Sequence, residues 1–114
     1  MKNDFGGHDN YHRDNVYAYV GEAIGFYDAP MLAGHEDVFT GNQVVMTGKS
    51  VGNFGCGGVG DPKLSNNSYF TPTGQVTECG TTLAKSSDAG STVAKTPDDA
   101  TLLGWASAKL GITE

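Results

Sequence analysis

The stretch Gly34-His35-Glu36-Asp37-Val38-Phe39-Thr40-Gly41-Asn42-Gln43-Val44-Val45-Met46-Thr47-Gly48-Lys49-Ser50-Val51-Gly52-Asn53-Phe54 restates, 27 residues on, much of what stands at 7–27. Gly7 and His8 return as Gly34 and His35, Asn15 as Asn42, Gly21 as Gly48 and Gly25 as Gly52. Asp9 becomes Glu36, Asn10 becomes Asp37, Ile24 becomes Val51 and Tyr27 becomes Phe54. A weaker third copy follows, with Asn67 lying 25 residues beyond Asn42 and Gly74 lying 26 beyond Gly48. A fixed period of this length is the signature of stacked repeats. The best-kept positions are glycine and asparagine, which break helices, and the runs between them are β-branched and aromatic. Each repeat is therefore read as short strands separated by turns.

Three strand families follow from the columns. Asn15-Val16-Tyr17-Ala18-Tyr19-Val20 aligns with Asn42-Gln43-Val44-Val45-Met46-Thr47 and with Asn67-Ser68-Tyr69-Phe70-Thr71. Tyr17, Val44 and Tyr69 stay apolar and are expected inside, because side chains two apart share a face. Val16, Gln43 and Ser68 turn polar and are expected to face water. Ala23-Ile24-Gly25-Phe26-Tyr27 aligns with Ser50-Val51-Gly52-Asn53-Phe54, and Tyr11-His12-Arg13 precedes a third family made of Val38-Phe39 and Leu64. The asparagines at one corner are expected to form a hydrogen-bonded ladder and to supply the left-handed backbone of the turn.

These Asn-led corners, the 25–27 residue rungs and the run Asn67-Ser68-Tyr69-Phe70-Thr71-Pro72-Thr73-Gly74 resemble the C-terminal rungs of secreted right-handed parallel β-helix proteins, the pectate-lyase-like superfamily. The resemblance covers roughly residues 7 to 110. It implies an all-β fold: a solenoid of about three rungs over residues 1–95, the first incomplete, with a capping α-helix over 96–111 of the same domain. Thr96-Pro97-Asp98-Asp99 supplies a capping hydroxyl, a proline at the first helical position and acidic charge in the first turn. Leu102, Leu103, Ala106 and Leu110 recur at helical spacing, and Gly111 stands at the C-cap. That helix is expected to close the open end of the stack. Trp105 is expected to pack against it rather than to serve as a sugar platform.

Composition narrows the function. The chain has 114 residues, 17 glycines and a formal net charge of −6, with Arg13 its single arginine. An acidic surface without a basic patch excludes nucleic acid as a partner. No run approaches the length of a membrane span. Met1-Lys2-Asn3-Asp4-Phe5 carries no apolar signal-peptide core. Two cysteines and the Asn66-Asn67-Ser68 glycosylation sequon nevertheless belong outside the cell, and a piece of a longer secreted protein reconciles the two. Cys56 and Cys79 lie 23 apart, close to one rung, so stacked strands about 4.8 Å apart would bring them within disulfide reach.

Chemistry centres on the repeated Gly-His-acid turn. Stacking sets His8 over His35 and Asp9 over Glu36, with His12, Arg13, Asp14 and Asp37 nearby. Imidazole beside carboxylate suits a divalent metal, with His8 and His35 as its candidate ligands, or a general acid/base pair. The competing reading is a solvated turn made by glycine. The superfamily includes lyases that use basic residues with calcium-binding acids, and hydrolases that use clustered aspartates. Neither motif is present. The expectation is an extracellular, non-catalytic module in a carbohydrate-binding, structural or adhesive context, with polysaccharide as the candidate partner and self-association through the open first rung. The alternative is the C-terminal part of a polysaccharide lyase or glycoside hydrolase whose catalytic rungs lie upstream. A flat ice-binding face would need regular threonine columns, which Thr47, Thr71, Thr73 and Thr77 do not form.

Overall fold

The computed structural model describes residues 2–3, 9–23, 26–27, 34–52, 62–78, 81–82 and 90–111. Two parallel sheets dominate. In the first, β2 (Tyr11–Arg13), β5 (Val38–Thr40) and β7 (Lys63–Ser65) lie side by side. In the second the order is β11 (Thr92–Lys95), β8 (Ser68–Thr71), β6 (Gln43–Met46) and β3 (Val16–Val20). Two small pairs complete the strands: β1 (Lys2–Asn3) runs parallel to β4 (Phe26–Tyr27), and β9 (Thr77–Glu78) antiparallel to β10 (Thr81–Thr82). A further parallel bridge joins Ser50 to Thr77.

The register reproduces the sequence columns. His12, Phe39 and Leu64 align in one sheet, and Tyr17, Val44, Tyr69 and Val93 in the other. Both columns face one shared core with Met46, Val51, Ala23 and Val76. Phe39 of one sheet stacks on Tyr17 of the other at 5.8 Å between ring centroids. Alternation of buried and open positions along short strands produces this arrangement, since a residue and its second neighbour share a face.

The asparagine ladder is present. Asn15 N–H donates to Asn42 Oδ1 (2.9 Å), and Asn42 N–H donates to Asn67 Oδ1 (3.0 Å). Asn67 N–H donates to Ser91 Oγ (2.8 Å), so a serine takes the asparagine's place in a fourth repeat. Thr92–Lys95 is a strand beside β8, which adds a fourth strand to the three that the sequence columns aligned. The left-handed backbone also sits one residue earlier than expected. Asp14 (φ 56), Gly41 (φ 67), Asn66 (φ 53) and Gly90 (φ 75) form the corner column, each preceding a ladder residue. Backbone inversion and cross-repeat hydrogen bonding are thus divided between neighbours.

Helix α1 (Asp99–Leu110) corrects two further expectations. Its N-cap is Asp98, whose carboxylate accepts from Thr101 N–H at 2.8 Å, not Thr96. Thr96 is still tied to the ladder through Thr71 O at 3.0 Å, and a residue before proline is disfavoured in helical geometry. The C-cap at Gly111 is left-handed (φ 70), as expected. The helix packs across the outer face of the four-stranded sheet rather than over its end. Trp105 meets Phe70 of β8 at 5.1 Å, and Tyr19 of β3 bonds Asp99. Val45, on the β6 strand between them, points away from the shared core yet is fully buried. Val16, Gln43 and Ser68 share that face and are half-buried instead of bathed in water.

Candidate functional site

The flat outer face of the three-stranded sheet is assembled by parity. His12, Phe39 and Leu64 point into the core, so their neighbours point out. Tyr11, Val38 and Lys63 form one outward row, and Arg13, Thr40 and Ser65 form the next. Tyr11 is 69% exposed. Arg13 and Lys63 are exposed too. Thr40 Oγ1 lies 2.8 Å from the Ser65 carbonyl and 2.9 Å from Ser65 Oγ, which orients both hydroxyls along the face.

The turn entering this sheet carries the histidine–acid pair. Asp9 N–H donates to the His35 carbonyl at 2.9 Å, and the Asp9 carboxylate lies 2.7 Å from His35 Nδ1. Asp9 holds a positive φ of 56°, as does Gly34 at 81°. Glu36 turns back to Gly34 N–H (3.2 Å) and to the Lys63 ammonium (3.8 Å). Backbone hydrogen bonds from Glu36 and Gly34 hold its carboxyl below the usual range, with Lys63 and His35 adding to the effect. The expected pairing of Asp9 with Glu36 is therefore one of backbone register, while the side chains make a diagonal Asp9–His35 contact.

The expected site residues divide three ways. Asp9, His35, Glu36, Arg13 and Asp14 border the outer face or its corners. His12 and Asp37 turn inward. Asp37 is fully buried and its Oδ1 accepts both the backbone and the side-chain N–H of Asn10, at 2.7 and 3.1 Å. His12 lies 6.5 Å from the Phe39 ring, and burial lowers its pKa, opposed by the negative charge of Asp37. Both side chains therefore face inward, away from the outer face. His8 lies outside the described residues, as do Cys56 and Cys79, and with them the metal pair and the disulfide. Among the described residues no group of three His, Cys, Asp or Glu side chains converges on a point. Asn66 is exposed at its corner, with its side chain against Gly90. Tyr11, Thr40, Lys63 and Ser65 were missed by motif reading. The inward column His12–Phe39–Leu64 was the signal that could have found them.

A second concave region lies between α1 and β3. Val16, Ala18 and Tyr19 face Leu102, Leu103 and Ala106 across a groove of about 510 Å³. The Tyr19 hydroxyl donates to Asp99 at 2.5 Å and closes one end. That bond, with the charge of Asp99, raises the phenol's pKa. The groove is mostly apolar, and its two polar side-chain groups, the Tyr19 hydroxyl and the Asp99 carboxylate, are bonded to each other. No family model, no curated protein and no solved structure matches this chain. Among the described residues no helix is long and apolar enough to cross a membrane.

Proposed function

We propose that the chain winds as a right-handed parallel β-helix of the pectate-lyase-like kind and acts outside the cell as a non-catalytic carbohydrate-binding module. The winding is supported by strand offsets that recur in separate sheets. Tyr11 pairs with Val38 and Val38 with Lys63; Val16 pairs with Gln43, Gln43 with Ser68 and Ser68 with Thr92; and Ser50 pairs with Thr77. A chain returning to the same position every turn gives such a pattern.

The outer face of β2, β5 and β7 carries the binding reading. An exposed Tyr11 ring beside two cations and a row of hydroxyls, spaced at strand intervals of about 4.8 Å, fits the alternating apolar and hydroxylated faces of a sugar chain. Arg13 and Lys63 would hold the carboxylates of an acidic glycan despite the overall charge of −6. Isothermal titration against neutral and uronate-containing oligosaccharides tests the reading. Tyr11→Ala should weaken binding about tenfold, about 1.4 kcal/mol. Arg13→Ala should weaken only the acidic ligands. Undiminished binding by Tyr11→Ala would remove this face as the site, and turnover of the glycan would favour the carbohydrate-active enzyme reading instead.

A further inference from the structure

Both ends of the four-stranded sheet present the same surface. Among the described residues, strand β3 is the outermost strand at one edge and β11 at the other. Tyr17 on β3 and Val93 on β11 belong to one inward column, and both are only partly buried where the residues between them, Val44 and Tyr69, are fully buried. The core is therefore cut open at two matching cross-sections. We infer that copies of this chain stack head to tail, with β11 of one copy pairing in parallel with β3 of the next.

The backbone settles the register. Gln43 N–H bonds Asn15 O, so the N–H and C=O of Val16 point away from β6. Thr92 N–H and Thr96 N–H bond the carbonyls of Asn67 and Thr71, so the polar groups of Val93 and Lys95 point away from β8. Continuing the internal ladder sets Val16 of the added copy opposite Thr92, and Tyr17 opposite Val93. The bulge between Tyr17 and Val20 lies beyond Val16 and Tyr17, the two residues that this register sets against Thr92 and Val93.

The corner column fits the same translation. Its residues run Asp14, Gly41, Asn66, Gly90, alternating a side chain with a glycine. Asp14 Oδ1 lies 2.6 Å from the point a Cβ on Gly41 would occupy, and the Asn66 side chain fills the corresponding space at Gly90. A further copy places Asp14 after Gly90 and keeps the alternation intact. Such an interface is heterologous and does not close on itself, so it yields open chains rather than dimers. Each copy adds four strands, a rise of about 19 Å at the usual strand spacing. The inference rests on the parallel ladder and is independent of glycan binding at the outer face of β2, β5 and β7.

Two prolines test it. Val16→Pro removes the outward N–H of the β3 edge, and Lys95→Pro removes that of the β11 edge, each leaving the other edge intact. Sedimentation velocity of the unaltered chain should show mass rising with concentration without a plateau. Each variant alone should fall to the monomer, or at most stop growing, and an equimolar mixture should give a 1:1 dimer through the two intact edges. An unaltered chain that stays monomeric or plateaus as a dimer, or a mixture that stays monomeric, overturns the inference. Circular dichroism confirms that each variant retains its fold. If one does not, hydrogen exchange of the unaltered chain decides: the Val16 and Lys95 amides must slow as concentration rises, and unchanged rates overturn the proposal.

Discussion

Asn67 Oδ1 accepts both the backbone N–H of Asn42, at 3.0 Å, and the side-chain amide of Asn42, at 3.2 Å. Both residues are 1% exposed, so neither group has water as a substitute. The Asn67 amide in turn donates to the Phe39 carbonyl at 3.0 Å, and that of Asn42 to the His12 carbonyl at 2.8 Å. One side chain thereby joins the two parallel sheets while satisfying the repeat before it. Asn42 does the same one repeat earlier, between the His12 carbonyl and the Asn15 N–H.

Asn67→Ala should consequently destabilise the protein by about 2–4 kcal/mol, because several buried polar groups lose their partner at once. Asn15→Ala, at the exposed start of the ladder, should cost under about 1 kcal/mol. Urea unfolding of the two variants compares them. Equal losses would show that burial does not determine the ladder's contribution.

The repeated glycines separate by what lies above them. A Cβ on Gly48 would stand 2.9 Å from the Gly21 carbonyl oxygen, whereas a Cβ on Gly21 meets nothing within 4 Å. Gly48→Ala should therefore cost about 1–3 kcal/mol, since backbone must move apart. Gly21→Ala should fall within about 0.5 kcal/mol of the unaltered protein or stabilise it slightly. Thermal melts of the pair measure the difference, and a Gly21→Ala loss as large as that of Gly48→Ala would contradict it.

His12 makes stability depend on pH. Burial lowers its pKa below 6.5, with the Asp37 charge pulling the other way. The unfolded chain then binds more protons in the window between the lowered value and 6.5. Stability should fall as pH drops through that window and level off below it. In His12→Leu, which copies the residue two strands along the column, that share of the slope below 6.5 should vanish. The readout is the urea midpoint at several pH values, and an identical slope in both proteins would assign the effect elsewhere.

Much of the architecture was written in the chain at the level of spacing. The pairings His12–Phe39–Leu64 and Tyr17–Val44–Tyr69 follow from matching residues at fixed offsets, because a stacked strand reuses one environment and so one residue type. The ladder at Asn15, Asn42 and Asn67 was legible for the same reason. Gly111 was readable as a cap, since few residues other than glycine accept a positive φ easily.

What the repeat did not carry, tertiary structure decided. Ser91 replaces an asparagine because the ladder's last step needs only an acceptor, and a hydroxyl supplies one; residue identity is lost while chemistry is kept. Asp14, Gly41, Asn66 and Gly90 share a backbone conformation, not a side chain, so their column is invisible to residue matching. The helix pattern shows an apolar stripe at Leu102 and Ala106, but which surface it covers is decided only where the apolar row Val45 and Phe70 lies beneath it, buried or half-buried. The outer face of Tyr11, Arg13, Thr40 and Ser65 likewise exists only once three strands lie in register, since residues far apart along the chain acquire a common surface through pairing alone.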